Sequence, residues 1–232
     1  MKNTKGQSSP VPTRFAALAA DVAILTLRDD ELLVRLMRVD RPPFFDGVPG
    51  LPGGLIQPDE TAEQTARRLI QEKGGIQASN TYSEQLATFS EIDRDPRNRV
   101  VAVAYTAYIP WEKLSATERA NTELYWWANV RQVKQLAYDH MHILRTAIDR
   151  TRARIGYTTL IAKILPTEFT LTQLEQGFET ILGRELDKRN FRKKFDKLSL
   201  LEDTGHKTSG DRWRPARLYR FKSKTVDQIE IL

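Results

Sequence analysis

Between Gly54 and Ile76 the chain sets two carboxylates, an arginine and a lysine at spacings that suit a phosphate and its counter-ions. Gly54 is followed after five residues by Glu60 and after seven more by Arg68, with Glu72 and Lys73 one turn further on. Thr61 and Gln64 spell a capping box and Gly74-Gly75 a stop, which predicts a helix carrying Arg68 and Glu72 on a single face. Glu60 and Glu72 could offer oxygen to a divalent cation, but such hard ions ask for several oxygen ligands, and two carboxylates make a poor cage. The Lys73 ammonium beside Glu72 repels a cation and attracts a diphosphate. A plainer arrangement competes with ligand contact: Arg68 and Glu72 pair locally and hold the helix to the loop before it.

With Leu51-Pro52-Gly53-Gly54 leading in, this string resembles the Nudix box: Gly54, Glu60, Arg68, Ile70, Glu72, Gly75 and Ile76 fall in its register over 23 residues. Where that family has three Glu in its Arg-Glu-x-x-Glu-Glu run, this chain has Leu69, Glu72 and Lys73. Pyrophosphate hydrolysis in the family depends on divalent metals that neutralise phosphate oxygens and activate water. The resemblance therefore implies a nucleoside-diphosphate fold with weakened chemistry: no catalytic residue, no metal site, no required cofactor and no magnesium. The rival expectation is an active pyrophosphatase drawing replacement ligands from Glu84, Glu91 or Asp93.

Composition is that of a soluble globular chain, 40% hydrophobic and 28% charged, with 232 residues that suffice for two domains with separate cores. No apolar run reaches the roughly 18 residues a membrane span needs, and Asp21 interrupts the stretch from Phe15 to Leu27. Met1 to Thr13, rich in Ser, Pro and Lys, reads as a flexible tail rather than a signal peptide. The absence of cysteine excludes disulfides and thiolate metal sites and is compatible with the cytoplasm. The net charge of +6 is uneven: residues 188–224 hold 13 Lys or Arg against four acids, whereas the remaining 195 residues hold 23 basic and 26 acidic side chains. Such a C-terminal excess is the footprint of a polyanion-binding module or, more blandly, of a solvated face.

The elements that position these groups follow from the hydrophobic pattern. Leu18 to Leu27 and Glu31 to Met37, split by Arg28-Asp29-Asp30, read as a hairpin. Arg41 to Pro52 is a Pro/Gly-rich loop. Glu84 to Ile92 and Arg99 to Ile109 are strands joined by residues 93–98, Glu123 to Val130 is an aromatic strand, and His140 to Ile155 is an amphipathic helix. The result is a mixed sheet packed with helices over residues 14–156, followed by a second module over 157–232. His140, His142 and His206 do not make a metal cluster by spacing and read as ordinary polar side chains.

In the second module Thr170 and Gln173 form another capping box, Leu171, Leu174, Phe178, Ile181 and Leu182 an apolar stripe, and Gly183 a stop. Asp187 caps a further helix to about Leu198, which gives a helix-turn-helix signature. Successive residues advance about 100°, so Phe191, Phe195 and Leu198 share one face. Arg189, Lys193 and Lys197 project from the other, with Lys188 and Arg192 on the flanks. A helix buried on one side and cationic on the other suits the major groove of DNA, where Lys and Arg neutralise phosphates and Arg reads guanine edges. A surface helix with solvated charges is the alternative. His206 to Lys222 reads as short strands around a loop at Lys207 to Asp211, with Arg212 and Arg214 near the tip and Arg217 on the returning strand. That is a wing placed against the backbone or in the minor groove.

A degenerate Nudix domain followed by Phe169-Thr170-Leu171, by Leu186-Asp187-Lys188-Arg189-Asn190-Phe191-Arg192-Lys193 and by Arg214-Pro215-Ala216-Arg217-Leu218-Tyr219-Arg220-Phe221 resembles the Nudix-related transcriptional regulators (NrtR-type) across nearly everything after the tail. The resemblance implies an α+β chain: an N-terminal Nudix α/β/α sandwich with a C-terminal winged helix-turn-helix. It further implies a homodimer on double-stranded operator DNA at the cytoplasmic nucleoid, repression, control of NAD metabolism, and a small nucleotide-sugar effector, ADP-ribose. Regulators of the same architecture sense arabinose-type sugars instead. Asp93-Arg94-Asp95-Pro96 resembles a segment of that family, and its chemistry suits a hydroxyl-rich ligand: carboxylates accept from ribose hydroxyls, and Arg94 or Arg97 pairs with phosphate. A turn held by its own Asp side chains is the competing explanation. Arg38 matches a position that faces the ligand in Nudix proteins. The expected ligand set is thus Arg38, Gly54, Arg68, Glu72, Lys73, Asp93, Arg94, Asp95 and Arg97. The expected DNA set is Lys188, Arg189, Arg192, Lys193, Lys197, Arg212, Arg214 and Arg217.

Overall fold

A computed structural model describes residues 15–209 and 215–231. Its spine is β1 (Ala17–Arg28), buried continuously from Ala19 to Ile24 and on to Thr26, the pattern of a strand interior to a sheet. β1 pairs antiparallel with β2 (Glu31–Arg41), from Leu25↔Val34 to Arg28↔Glu31. The turn between them puts Asp29 and Asp30 at positive φ, 47° and 59°, which Asp tolerates and which matches the twist of a two-residue hairpin. Along its other edge β1 runs parallel to β6 (Val100–Tyr108), and β6 pairs with β5 (Tyr82–Phe89). β7 (Tyr125–Asn129) adds to β2.

Two short strands that the pattern did not announce follow β2, the first of them inside the Arg41 to Pro52 stretch expected to be loop. β3 (Phe45–Gly50) pairs with β2, and β4 (Gly53–Leu55) pairs with the start of β1. Their Pro and Gly content hides them from pattern reading, because the sheet edge rather than intrinsic preference supplies the pairing. The strand expected to reach Ile92 stops at Phe89, and residues 90–99 form a turn-rich loop in which Ile92 is exposed.

Alternation along β1 builds a layer on each face. Ala20, Val22 and Ile24 meet Ala66, Leu69 and Ile70 of α1 (Ala62–Glu72), which opens on the expected capping box of Thr61 and Gln64. A single-turn helix, α2 (Ala116–Arg119), precedes β7. Ala23 and Leu25 face the other way and join Ile143, Leu144, Ala147 and Ile148 of α3 (His140–Tyr157). The sheet is therefore covered on both faces, an α/β/α sandwich.

The C-terminal part is a winged helix-turn-helix. α4 (Leu171–Leu182) starts on the Thr170/Gln173 capping box and stops at Gly183, whose φ is 71°. α5 (Lys188–Leu198) follows, and β8 (Leu201–Lys207) pairs with β9 (Arg217–Phe221) as the wing, its first strand starting at Leu201 rather than His206. Phe178 of α4 and Phe191 and Phe195 of α5 are buried, but not in a core of their own: they belong to the apolar cluster that holds Leu25, Leu36 and Ile143. Gly177 lets α4 approach, since a Cβ there would lie 3.0 Å from Leu165 and 3.5 Å from Leu27. Arg152 Nε donates to the Ile181 carbonyl at 2.9 Å. After the wing, the N–H groups of Ile229 and Ile231 bond the carbonyls of Tyr157 and Gly156 at 2.8 Å. Among the described residues, no helix is long and apolar enough to cross a membrane.

Candidate ligand cleft and nucleic-acid interface

The start of β1, the end of β2, β4, the end of α1 and the loop before β6 enclose a cleft of about 800 Å³, a volume suited to a small-molecule ligand. Arg38, Gly54, Lys73, Arg94, Asp95 and Arg97 of the expected ligand set face it, whereas Arg68, Glu72 and Asp93 are absent from its lining. Arg68 instead donates to Glu60 at 2.6 and 2.7 Å, to Glu72 at 3.2 Å and to the Leu55 carbonyl at 3.3 Å, the local pairing that competed with ligand contact. Its hydrogen bonds are the largest reason that the Glu60 carboxyl is held down at about 2. Asp93 stays exposed on its loop.

The residues of the box do not fit a divalent metal. Leu69 is fully buried under α1, Glu60 is engaged by Arg68 and Thr65, and the Lys73 Nζ donates to the Gly53 carbonyl at 2.5 Å. Of the substitute ligands, Glu84 pairs with Arg154 at 3.2 Å, while Glu91 and Asp93 stand exposed outside the cleft lining. Burial, and after it the charges of Arg41 and Arg68, keep the Lys73 ammonium below its ordinary pKa.

Arg94 lies at the floor of the cleft with its donors already directed. Its Nη2 donates to Asp21 at 2.8 Å and to Asp139 at 2.7 Å, and its Nε to Asp139 at 2.9 Å. His140, which the sequence left as an ordinary polar side chain, is buried in the same cluster. Its Nδ1 accepts the Leu51 N–H at 2.9 Å, so Nε2 carries the proton and faces Asp21 at 3.5 Å. Burial pushes the Asp21 carboxyl up, but His140 and Arg94 together outweigh it and hold the pKa below the usual carboxylate range. Gly53 makes the arrangement possible, because a Cβ there would sit 2.1 Å from Asp21 Oδ1. Asp21, Asp139 and His140 are near enough to one another to hold a cation, yet the Arg94 guanidinium already bridges the two carboxylates. The network ties β1, the 90–99 loop and the start of α3 together. Sequence reasoning missed Asp21, Asp139 and His140; the one signal was a carboxylate interrupting an otherwise apolar strand.

Arg97 forks onto Asp95 at 2.9 and 2.7 Å and lies 5.2 Å over the Tyr138 ring, so this segment is a turn held by its own Asp as well as part of the cleft wall. Tyr138, also unanticipated, lines the cleft with φ 55° and packs on Phe45 and His140 at centroid distances of 4.4 and 5.1 Å. A bulky residue in the left-handed region stores backbone strain, a feature that gathers at ligand sites. Arg38 is paired with Asp40 at 3.0 Å.

The second surface is α5. Lys188, Arg189, Arg192, Lys193 and Lys197 are exposed on it, while Phe191 and Phe195 are buried beneath, and Asp187 caps the helix by accepting the Asn190 N–H at 2.7 Å. Arg217 is exposed on β9, 3.3 Å from Asp203. Arg212 and Arg214 lie outside the described residues. Lys188 and Arg192 also reach back, at 3.3 and 3.8 Å, to Glu175 of α4, a carboxylate only 1% exposed. A buried carboxylate is costly without cations, so α5 offsets the charge of the helix it packs on.

Comparison with known proteins assigns a family to each part of the chain. Residues 17–148 match the NUDIX domain family, and residues 161–221 match the NrtR DNA-binding winged helix domain. An ADPR responsive transcriptional repressor, NtrR, from Acinetobacter baylyi is 32% identical over 225 residues, covering 95% of this chain and 87% of that protein. The crystal structure of Shewanella oneidensis NrtR complexed with a 27mer DNA superposes with a TM-score of 0.77 at 32% identity, covering 88% of this chain and 93% of that one. A MutT/nudix family protein from Enterococcus faecalis gives a TM-score of 0.71 at 26% identity over 90% of this chain and 89% of its own.

Proposed function

The chain belongs to the Nudix-related transcriptional regulators of the NrtR type, and from that premise we propose that it represses transcription by binding operator DNA through α5 and the wing, and lets go when ADP-ribose fills the cleft. Residues 14–156 sense the effector and residues 157–232 hold the DNA. The observation that carries this reading is the union, in one chain, of a Nudix cleft with Leu69 and Lys73 at carboxylate positions and a helix whose exposed face is cationic. Such a cleft favours binding over turnover, because hydrolysis needs a metal that these residues do not fit. The cations around it, among them Arg38, Lys73 and Arg97, favour a phosphorylated ligand over a neutral sugar. The name of the Acinetobacter relative points to the same effector. Genes of NAD metabolism are the matching targets, and a homodimer working at the nucleoid matches an operator of two symmetric half-sites.

Linkage supplies the test. An effector that weakens operator affinity by some factor is itself bound less well by the DNA-bound protein, by the same factor. Operator affinity measured across an ADP-ribose titration is expected to fall to a plateau. Unchanged affinity at saturating ADP-ribose defeats the proposal, and multiple turnover of ADP-ribose with magnesium would make the cleft a hydrolase site.

A further inference from the structure

The cations that line the cleft divide into two kinds. Arg38, Arg94 and Arg97 each already hold a carboxylate: Asp40, the Asp21–Asp139 pair and Asp95 respectively. Arg41, Lys73 and Arg99 do not; among the described residues none of the three has an acidic partner within ion-pair distance. Their hydrogen bonds go to the carbonyls of Asp40, of Gly53, and of Glu91 and Val100 respectively, but only Arg41 and Lys73 act on one another. Lys73 is half-buried and sits over the Gly53–Gly54 backbone, where a Cβ on Gly54 would come within 3.3 Å of its Nζ. The two groups are close enough that the charge of Arg41 helps depress the Lys73 ammonium, after burial itself. Asp21 and Glu72 offset this only in part, so two like charges facing one cavity are mutually destabilising until an anion arrives.

We infer that Arg41 and Lys73 form a clamp for the diphosphate of the effector, with Lys73 at a box position that the hydrolysing family gives to a carboxylate, so that the ligand is held without a metal. The inference rests on the cleft being the effector site and names the groups that do the holding. The ammonium at position 73 and the guanidinium at position 41 meet a dianionic diphosphate with charge-assisted hydrogen bonds. The same Lys73 repels the cation that cleavage requires, so a single side chain secures the ligand and keeps it whole. Arg94, the residue whose type most suggests a phosphate ligand, serves as a strut under the site.

The test is calorimetric titration of the full chain and of the Lys73→Met and Arg41→Ala variants, with ADP-ribose and with inorganic pyrophosphate, in EDTA and in magnesium chloride. Arg41 is exposed and Met keeps the apolar stem of Lys73, so both variants are expected to melt with the wild type. The wild type should bind ADP-ribose equally well in both buffers, and each variant should lose about tenfold or more, the size of one charge-assisted hydrogen bond. Tenfold tightening of the wild type by magnesium, or variants that bind ADP-ribose as the wild type does, overturns the clamp. If the wild type ignores ADP-ribose but takes up pyrophosphate in a manner that needs Lys73 and Arg41, the clamp stands and the effector assignment falls. If it takes up neither anion, both fall.

Discussion

Under the proposed function, Leu69 is one of the side chains at which a sensor would part from an enzyme. At this position of the box a carboxylate would belong to a hydrolase, but here the leucine is fully buried with Ala20, Val22, Ile24 and Ile70 between the sheet and α1. Restoring a glutamate would set an ionised group in that apolar layer. The penalty for a buried, unpaired charge is about 3 kcal/mol or more. Leu69→Glu is therefore expected to lower Tm by roughly 5–10 °C for a chain of this size, measured by thermal unfolding, and adding Lys73→Glu is not expected to recover it. Unchanged Tm in Leu69→Glu would mean that α1 can shift to expose position 69. The neighbouring Glu60 illustrates the reverse case: its carboxyl stays ionised down to about pH 2 because Arg68 and Thr65 hold it, and while so held it serves the loop rather than a metal.

The elements divide by whether their determinants are local. α1, α4 and α5 were legible in the sequence because their caps and stops lie within a few residues: Thr61/Gln64, Thr170/Gln173, Asp187 and Gly183 all do in space what their spacing announced. α5 carries the clearest consequence. Arg189 and Lys193 project from the face opposite buried Phe191 and Phe195, and no ion pair within the described residues engages them. Replacing either with Ala should weaken operator binding without touching effector affinity, and for a pure phosphate contact the salt slope should fall by about one unit. A loss of both activities together would mark damage to the fold. Lys188 and Arg192 should behave less cleanly, because each also neutralises Glu175. What escaped the sequence was nonlocal. β3 and β4 exist through pairing with β2 and β1, and the Asp21–Arg94–Asp139–His140 network joins residues brought together only by the sheet and α3. No spacing rule spans such separations, so the cleft, Arg94 included, was visible as a family motif while the partners of Arg94 at its floor were not.

At the scale of the whole chain, the sequence suggested two cores and the structure has the second module built onto the first. The hairpin of β1 and β2 has one end in the cleft, at Asp21 and Arg38, and the other against α4. There the Asp30 carbonyl accepts the Thr180 hydroxyl at 3.3 Å and Leu27 packs beside Gly177. Phe178, Phe191 and Phe195 share an apolar cluster with Leu25 and Ile143, and the C-terminal segment is bonded back onto the end of α3. Domains that meet through small polar interfaces move and melt separately, whereas a continuous cluster couples their unfolding. A calorimetric scan should accordingly show one transition with equal van't Hoff and calorimetric enthalpies. ADP-ribose at about a hundred times its Kd should stabilise the folded chain by ~2.7 kcal/mol and move that entire transition upward. Two transitions, with ADP-ribose shifting only one, would show that the halves unfold independently.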